Sequence, residues 1–157
     1  QGPRMAMAAA NSLLASLQLA YKHGIVVVGA SPRPERVSNH VMDVLMRHHG
    51  LDCVPVNPQA SKILGQTAFP SLESLPEDHR ARLVCVFRAD ADPVAQEALH
   101  LGFPAVWLQQ GLWLRNDMLR DSLVRAGVHL HENVCLKVEY ARHADSINEA
   151  CGTENNL

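Results

Sequence analysis

The sequence predicts an α/β domain: a doubly wound, mostly parallel five-stranded sheet with helices on both faces. Three observations carry that prediction. Short runs such as Ile25-Val26-Val27-Val28 and Leu83-Val84-Cys85-Val86-Phe87 are apolar at every position, as strands covered on both faces must be. The segments between them place apolar residues at helical spacing. Glycine or proline closes most of these segments. Strand–helix alternation of this kind favours parallel pairing with right-handed crossovers.

Each element is justified in chain order. Leu13, Leu14, Leu17, Leu19 and Ala20 share a loose helical face that ends near Gly24. Met5 to Ala20 therefore reads as a helix docked on the domain, and Gln1-Gly2-Pro3 as a tag remnant. Ile25–Val28 is the first strand. Val37, Val41, Val44 and Leu45 give the next helix one apolar face, and Gly50 stops it. Leu51–Val56 is the second strand, weakened at Pro55, which has no N–H to donate. Gln59 to Ala68 reads as a loop hinged at Gly65, followed by a short helical turn with Ser71 as its N-cap. Leu83–Phe87 is the third strand. Pro93 suits the first turn of the helix carrying Val94, Ala98 and Leu99. Ala105–Leu108 is the fourth strand, Asp117–Ala126 a helix, and Val128–His131 the fifth strand. The residues after Arg142 are polar and are expected to fray. The predicted organisation is thus a tag remnant over 1–4, a docked helix over 5–23, the domain over 24–142 and a polar tail over 143–157.

Composition narrows the function. Hydrophobic residues make up 47% of the 157, charged residues 19% and aromatics 4%, with a formal net charge of −2. A broad basic surface for nucleic acid is excluded by that charge, and an aromatic stacking platform by the scarcity of rings. No run of about 18 apolar residues is present, so no membrane span is expected. The cysteines, Cys53, Cys85, Cys135 and Cys151, form no CxxC pair. They fit a reducing compartment, the cytoplasm, with the mitochondrial matrix left open.

In doubly wound sheets ligands bind beyond the carboxyl ends of the strands. Four cations follow strand ends here: Arg33, Arg36, Lys62 and Arg88. The first loop, Gly29-Ala30-Ser31-Pro32-Arg33, also opens a helix whose N-terminal amides attract anions. Gly29 would let a ligand approach the backbone, and Ser31 or Ser38 could donate to a phosphate. A phosphorylated nucleotide is the inferred ligand. The dinucleotide fingerprint G-x-G-x-x-G is absent, Asn57-Pro58 stands where an acidic ribose ligand is usual, and there is no Walker lysine.

Several segments in order carry a family resemblance: Val28-Gly29-Ala30-Ser31-Pro32, Pro55-Val56-Asn57-Pro58, Gly65, Phe69-Pro70-Ser71-Leu72, Val86-Phe87-Arg88, Trp107-Leu108-Gln109-Gln110-Gly111 and Cys135-Leu136-Lys137-Val138-Glu139. With these the chain resembles the small stand-alone CoA-binding proteins, which are similar to the CoA-binding domain of the succinyl-CoA synthetase alpha subunit. The resemblance spans roughly Leu13 to Arg142 and implies a Rossmann-like domain with coenzyme A as its ligand. It implies that Gly29, Ala30, Ser31, Arg36 and Ser38 hold phosphates. Asn57, Pro58 and Lys62 would meet the adenosine end, and Phe87 and Arg88 would flank adenine and pyrophosphate. Gln109, Gln110 and Gly111 would line the pantetheine path, with Asn133 and Cys135 near the thiol. Asn133-Val134 precedes Cys135 where relatives often place an arginine, and Tyr140 stands where histidine is common.

No residue is assigned a catalytic role, because the matched loops contain no positioned acid–base pair. A non-catalytic module that binds CoA or an acyl-CoA, as sensor or carrier, is the primary reading. The alternative is a nucleotide-cofactor enzyme, such as an NADP-dependent reductase or an acyl-transfer partner. No metal is assigned: His129, His131 and Cys135 do not complete a recognised ligand pattern. Trp113 has two readings, covering the ligand or packing in a homodimer contact.

Overall fold

Four consecutive apolar residues bury both of their faces only inside a covered sheet. In the computed structural model, which describes residues 2–152, that is the position of β1 (Ile25–Val28), β5 (Leu83–Val86) and β6 (Ala105–Leu108), all fully buried. The chain begins with α1 (Pro3–His23), and β1 leads through α2 (Val37–Arg47) to β2 (Cys53–Val56). A hairpin of β3 (Lys62–Ile63) and β4 (Gln66–Thr67) precedes β5. Then come α3 (Asp92–His100), β6, α4 (Asp117–Arg125), β7 (His129–His131) and α5 (Leu136–Gly152). The large sheet has the order β2-β1-β5-β6-β7, and every pairing in it is parallel. The architecture is α/β and Rossmann-like, as the sequence predicts.

Strand alternation sorts the core into two layers. Ile25 and Val27 join Leu17, Ala20, Met42, Leu45, Leu136, Tyr140 and Ile147 beneath α1, α2 and α5. Val26 and Val28 join Val94, Ala95, Ala98, Leu119 and Leu123 beneath α3 and α4. β2 is an edge strand, which is where Pro55 is tolerated. Its outer side is covered by Phe69, whose N–H donates to Pro55 O at 3.1 Å and whose carbonyl accepts from Asn57 N at 2.9 Å.

Three local expectations are revised. The stretch from Gln59 to Ala68 holds the antiparallel β3–β4 hairpin, in which Lys62 pairs with Thr67 and Ile63 with Gln66. Its two-residue turn has positive φ at both Leu64 (49°) and Gly65 (77°), the turn that matches strand twist. Ser71 caps no helix: its Oγ accepts from Ser74 N at 3.2 Å, and Ser74 Oγ donates to Ser71 O at 2.8 Å, closing an isolated turn. The residues after Arg142 remain helical as far as Gly152, because Ile147 and Cys151 continue the buried face begun by Leu136 and Tyr140. Residues 153–157 of the expected tail lie outside the described residues.

Candidate functional site

The strand order reverses direction between β1 and β5, since β1 leads outward to β2 and β5 leads the other way to β6. The crevice beyond their carboxyl ends is the topological switch point. Gly29 follows β1 with φ +83°, and a Cβ there would lie 2.9 Å from Arg88 Cγ and 3.3 Å from the Phe87–Arg88 backbone. The missing side chain thus makes room for the chain leaving β5. Backbone bonds fix this junction: Gly29 N donates to Val56 O at 3.1 Å and Phe87 N to Val28 O at 2.9 Å.

Two asparagines hold the loops above it. Asn57 donates through Nδ2 to Ala30 O at 2.8 Å, while its Oδ1 accepts from Gln59 N at 2.7 Å and Ala60 N at 2.9 Å. The loop after β1 and the loop after β2 are therefore tied by one side chain. Asn39, buried on α2, donates to Ser31 O at 2.9 Å. Ser31 Oγ accepts from Arg33 N at 3.2 Å in a local turn.

The result is a cleft of about 720 Å³. Gly29, Ala30, Ser31, Arg33, Arg36 and Ser38 line it on one side, and Asn57, Pro58, Phe87 and Arg88 on the other. Arg36 is the N-cap residue of α2, and no side chain caps the first turn of that helix. Its leading amides are orphan donors with a positive end charge. Arg33 makes a solvated ion pair with Glu35 at 2.9 Å, an arrangement of little energetic weight. The Arg36 and Arg88 side chains have no hydrogen-bond or ion-pair partner among the described residues. Ser38 is 5% exposed and lines the cleft.

A second cleft, about 580 Å³, adjoins the first and shares Glu35, Arg36 and Val37 with it. Gln109, Gln110 and Cys135 line this one. Gln109 is also a structural anchor, because its Oε1 accepts from Leu136 N at 3.2 Å, at the start of α5. The two clefts together gather the expected site residues except Lys62, Gly111 and Asn133. Lys62 is exposed on β3 and lines neither cleft. Asn133, at φ 59°, uses Oδ1 to accept from Gly111 N at 2.8 Å, so this pair ties two loops together. Sequence reasoning missed Pro70 in the first cleft, and His40 in the second. Lys137, given no role in the sequence reading, lines the second cleft too, and its Nζ lies 3.1 Å from His40 Nε2. The contact spans α2 and α5, so local spacing carries no sign of it.

Burial separates the cysteines. It pushes the Cys53 thiol up to about 12 and raises the Cys85 thiol well above its ordinary value, so both stay protonated. Cys135 is half-buried and lines the second cleft. His129 and His131 turn toward α1, where His129 Nδ1 meets Ser12 Oγ at 2.7 Å and His131 Nε2 meets Ser16 Oγ at 2.8 Å. Trp107 is buried and donates to Val134 O at 2.8 Å, whereas Trp113 is exposed and lines neither cleft.

Known proteins are similar to this chain in sequence and in fold. An uncharacterized protein of Bacillus subtilis (strain 168), YneT, is 36% identical over 119 residues, which cover 74% of this chain and 84% of that protein. A hypothetical protein from Pyrococcus horikoshii OT3 superposes with a TM-score of 0.70 at 31% identity, covering 82% of this chain and 88% of that one. A Thermus thermophilus structure does so with a TM-score of 0.70 at 33% identity, covering 84% and 96%. Residues 23–141, from the end of α1 into α5, match the model of the CoA binding domain, and with the switch-point cleft inside that span the chain belongs to this family.

Proposed function

We propose that this protein binds coenzyme A or an acyl-CoA as a single-domain, non-catalytic module, acting as a sensor or carrier. One observation carries the reading. Two arginines without partners among the described residues, Arg36 and Arg88, share a switch-point cleft with the uncapped N-terminus of α2. Cations and free amides suit a polyphosphorylated nucleotide, and family membership names coenzyme A as that nucleotide. Arg36, Ser31, Ser38 and the amides after Gly29 would hold phosphates, with Pro58, Phe87 and Arg88 about the adenine and pyrophosphate. The second cleft would take pantetheine along Gln109 and Gln110, its thiol toward Cys135. When bound, coenzyme A supplies a thiol that carries acyl groups. The residues of this chain hold and orient it, and no step is assigned to them. Unpaired cysteines, three of them buried, support a reducing compartment such as the cytoplasm.

Thermal unfolding with a ligand panel tests the reading. A ligand at 100 times its Kd adds about 2.7 kcal/mol, or about 5–10 °C for a chain of this length. The expected order is CoA first, dephospho-CoA well behind it, and no shift with NADP. A larger shift with NADP, or none with CoA, overturns the proposal.

A further inference from the structure

We propose that the second cleft takes the acyl end of a CoA thioester whose acyl chain carries a terminal carboxylate, and that Lys137, paired with His40, recognises that carboxylate. The inference rests on the CoA reading above and adds the class of acyl group.

The second cleft contains Arg36, His40 and Lys137, with Glu35 as its one carboxylate, and Glu35 is occupied by Arg33 at 2.9 Å. Glu139, one turn along α5 from Cys135, is engaged by Arg142 at 2.9 Å. Lys137 therefore faces the cleft with a histidine, not a carboxylate, as its partner. An ammonium group only donates, so His40 Nε2 accepts and the ring carries its proton on Nδ1. The remaining Lys137 N–H groups then stay available to an acceptor from outside. Cys135 lines the same cleft, which places this cation beside the expected position of the thioester sulfur. A purely aliphatic acyl chain would gain nothing from an ammonium and would hinder its hydration. A short chain ending in a carboxylate would find a cation preset by its contact across α2 and α5.

Affinities of the full-length protein for CoA, butyryl-CoA and succinyl-CoA, measured by calorimetry, test this, because the two thioesters have four-carbon acyl groups and differ in the terminal charge. Succinyl-CoA is expected to bind about fivefold more tightly than butyryl-CoA, the size of one half-exposed ion pair. In Lys137→Met that ratio falls to about one, and in Lys137→Arg much of it is retained. Equal affinities in the unaltered protein, with CoA itself bound, overturn this inference and leave the CoA reading intact. A ratio that survives Lys137→Met also overturns it. So does a variant that weakens CoA but not dephospho-CoA, since the cation then serves the 3′-phosphate. Absence of binding by any of the three removes the CoA reading together with the inference.

Discussion

The β6–β7 end of the sheet and its β1–β5 switch point treat polar side chains in opposite ways. At the β6–β7 end, Arg120 donates to Glu132 at 2.9 and 3.0 Å, to Leu114 O at 2.7 Å, and to Asp117. Glu132 Oε1 in turn accepts from Leu114 N at 2.8 Å. His129 and His131 are matched with Ser12 and Ser16. At the β1–β5 switch point, Arg36 and Arg88 stand at an open cleft without partners among the described residues, beside a helix end without a cap. Saturated polar groups fasten elements together, whereas unsaturated ones beside a cavity are available to a ligand. The contrast shows why arginine count is uninformative here and arginine partnership is not.

Acid should act first on the closed end. Ser16 Oγ donates to Ser12 O at 3.1 Å, so it accepts from His131 Nε2–H. Burial, then the positive charge of His129, lower the His131 pKa to about 4. Its unfolded value is near 6.5, so the unfolded state binds the extra proton between these two values. The stability that depends on neutral His131 is complete above about pH 6.5 and falls progressively as the pH drops toward 4, by about 3 kcal/mol. Urea unfolding at pH 7 and pH 4 measures this loss, and His131→Gln should flatten it. A slope unchanged in that variant would assign the acid sensitivity elsewhere.

Removing charges should separate the two regions cleanly. Arg36→Ala or Arg88→Ala should weaken CoA binding by about 2 kcal/mol, the scale of a charged hydrogen bond, with unfolding free energy within about 0.5 kcal/mol of the parent. Glu132→Ala should do the reverse, lowering stability by about 2 kcal/mol because Arg120 and Leu114 N lose their acceptor, with CoA affinity unchanged. Calorimetric titration beside urea unfolding reads both. If the arginine variants lose stability instead of affinity, the open switch point is a structural feature and the contrast disappears. The smallest effect is expected for Lys62→Ala, about 0.5 kcal/mol or less in CoA affinity, because Lys62 lies on the exposed hairpin outside both clefts.

Legibility in the sequence followed the range of the interactions. β1, β5 and β6 were readable because each is a continuous apolar run; strand ends define the rim where Arg33, Arg36 and Arg88 stand, whereas Lys62 falls on the hairpin outside both clefts. The β3–β4 hairpin was not, since its strands are two residues long and its turn places Leu64 at positive φ. The end of α5 was obscured by Asp145, Asn148 and Glu149, although Ile147 and Cys151 carry its buried face. Asn57 read as a ligand contact, and its part in tying two loops becomes visible only when Ala30 lies beside it. The Lys137–His40 contact joins residues 97 positions apart, and its existence depends on how α5 packs against α2.

The Asn57 bridge has one further consequence. Two loops linked through a single amide, with Asn39 holding the first of them to α2, have little freedom left to surrender when a guest arrives. Loops that order on association lose about 0.5–1.5 kcal/mol for each side chain immobilised. A seat that is rigid before contact avoids most of that entropic loss, so its few cations can hold a flexible, highly charged molecule with useful affinity.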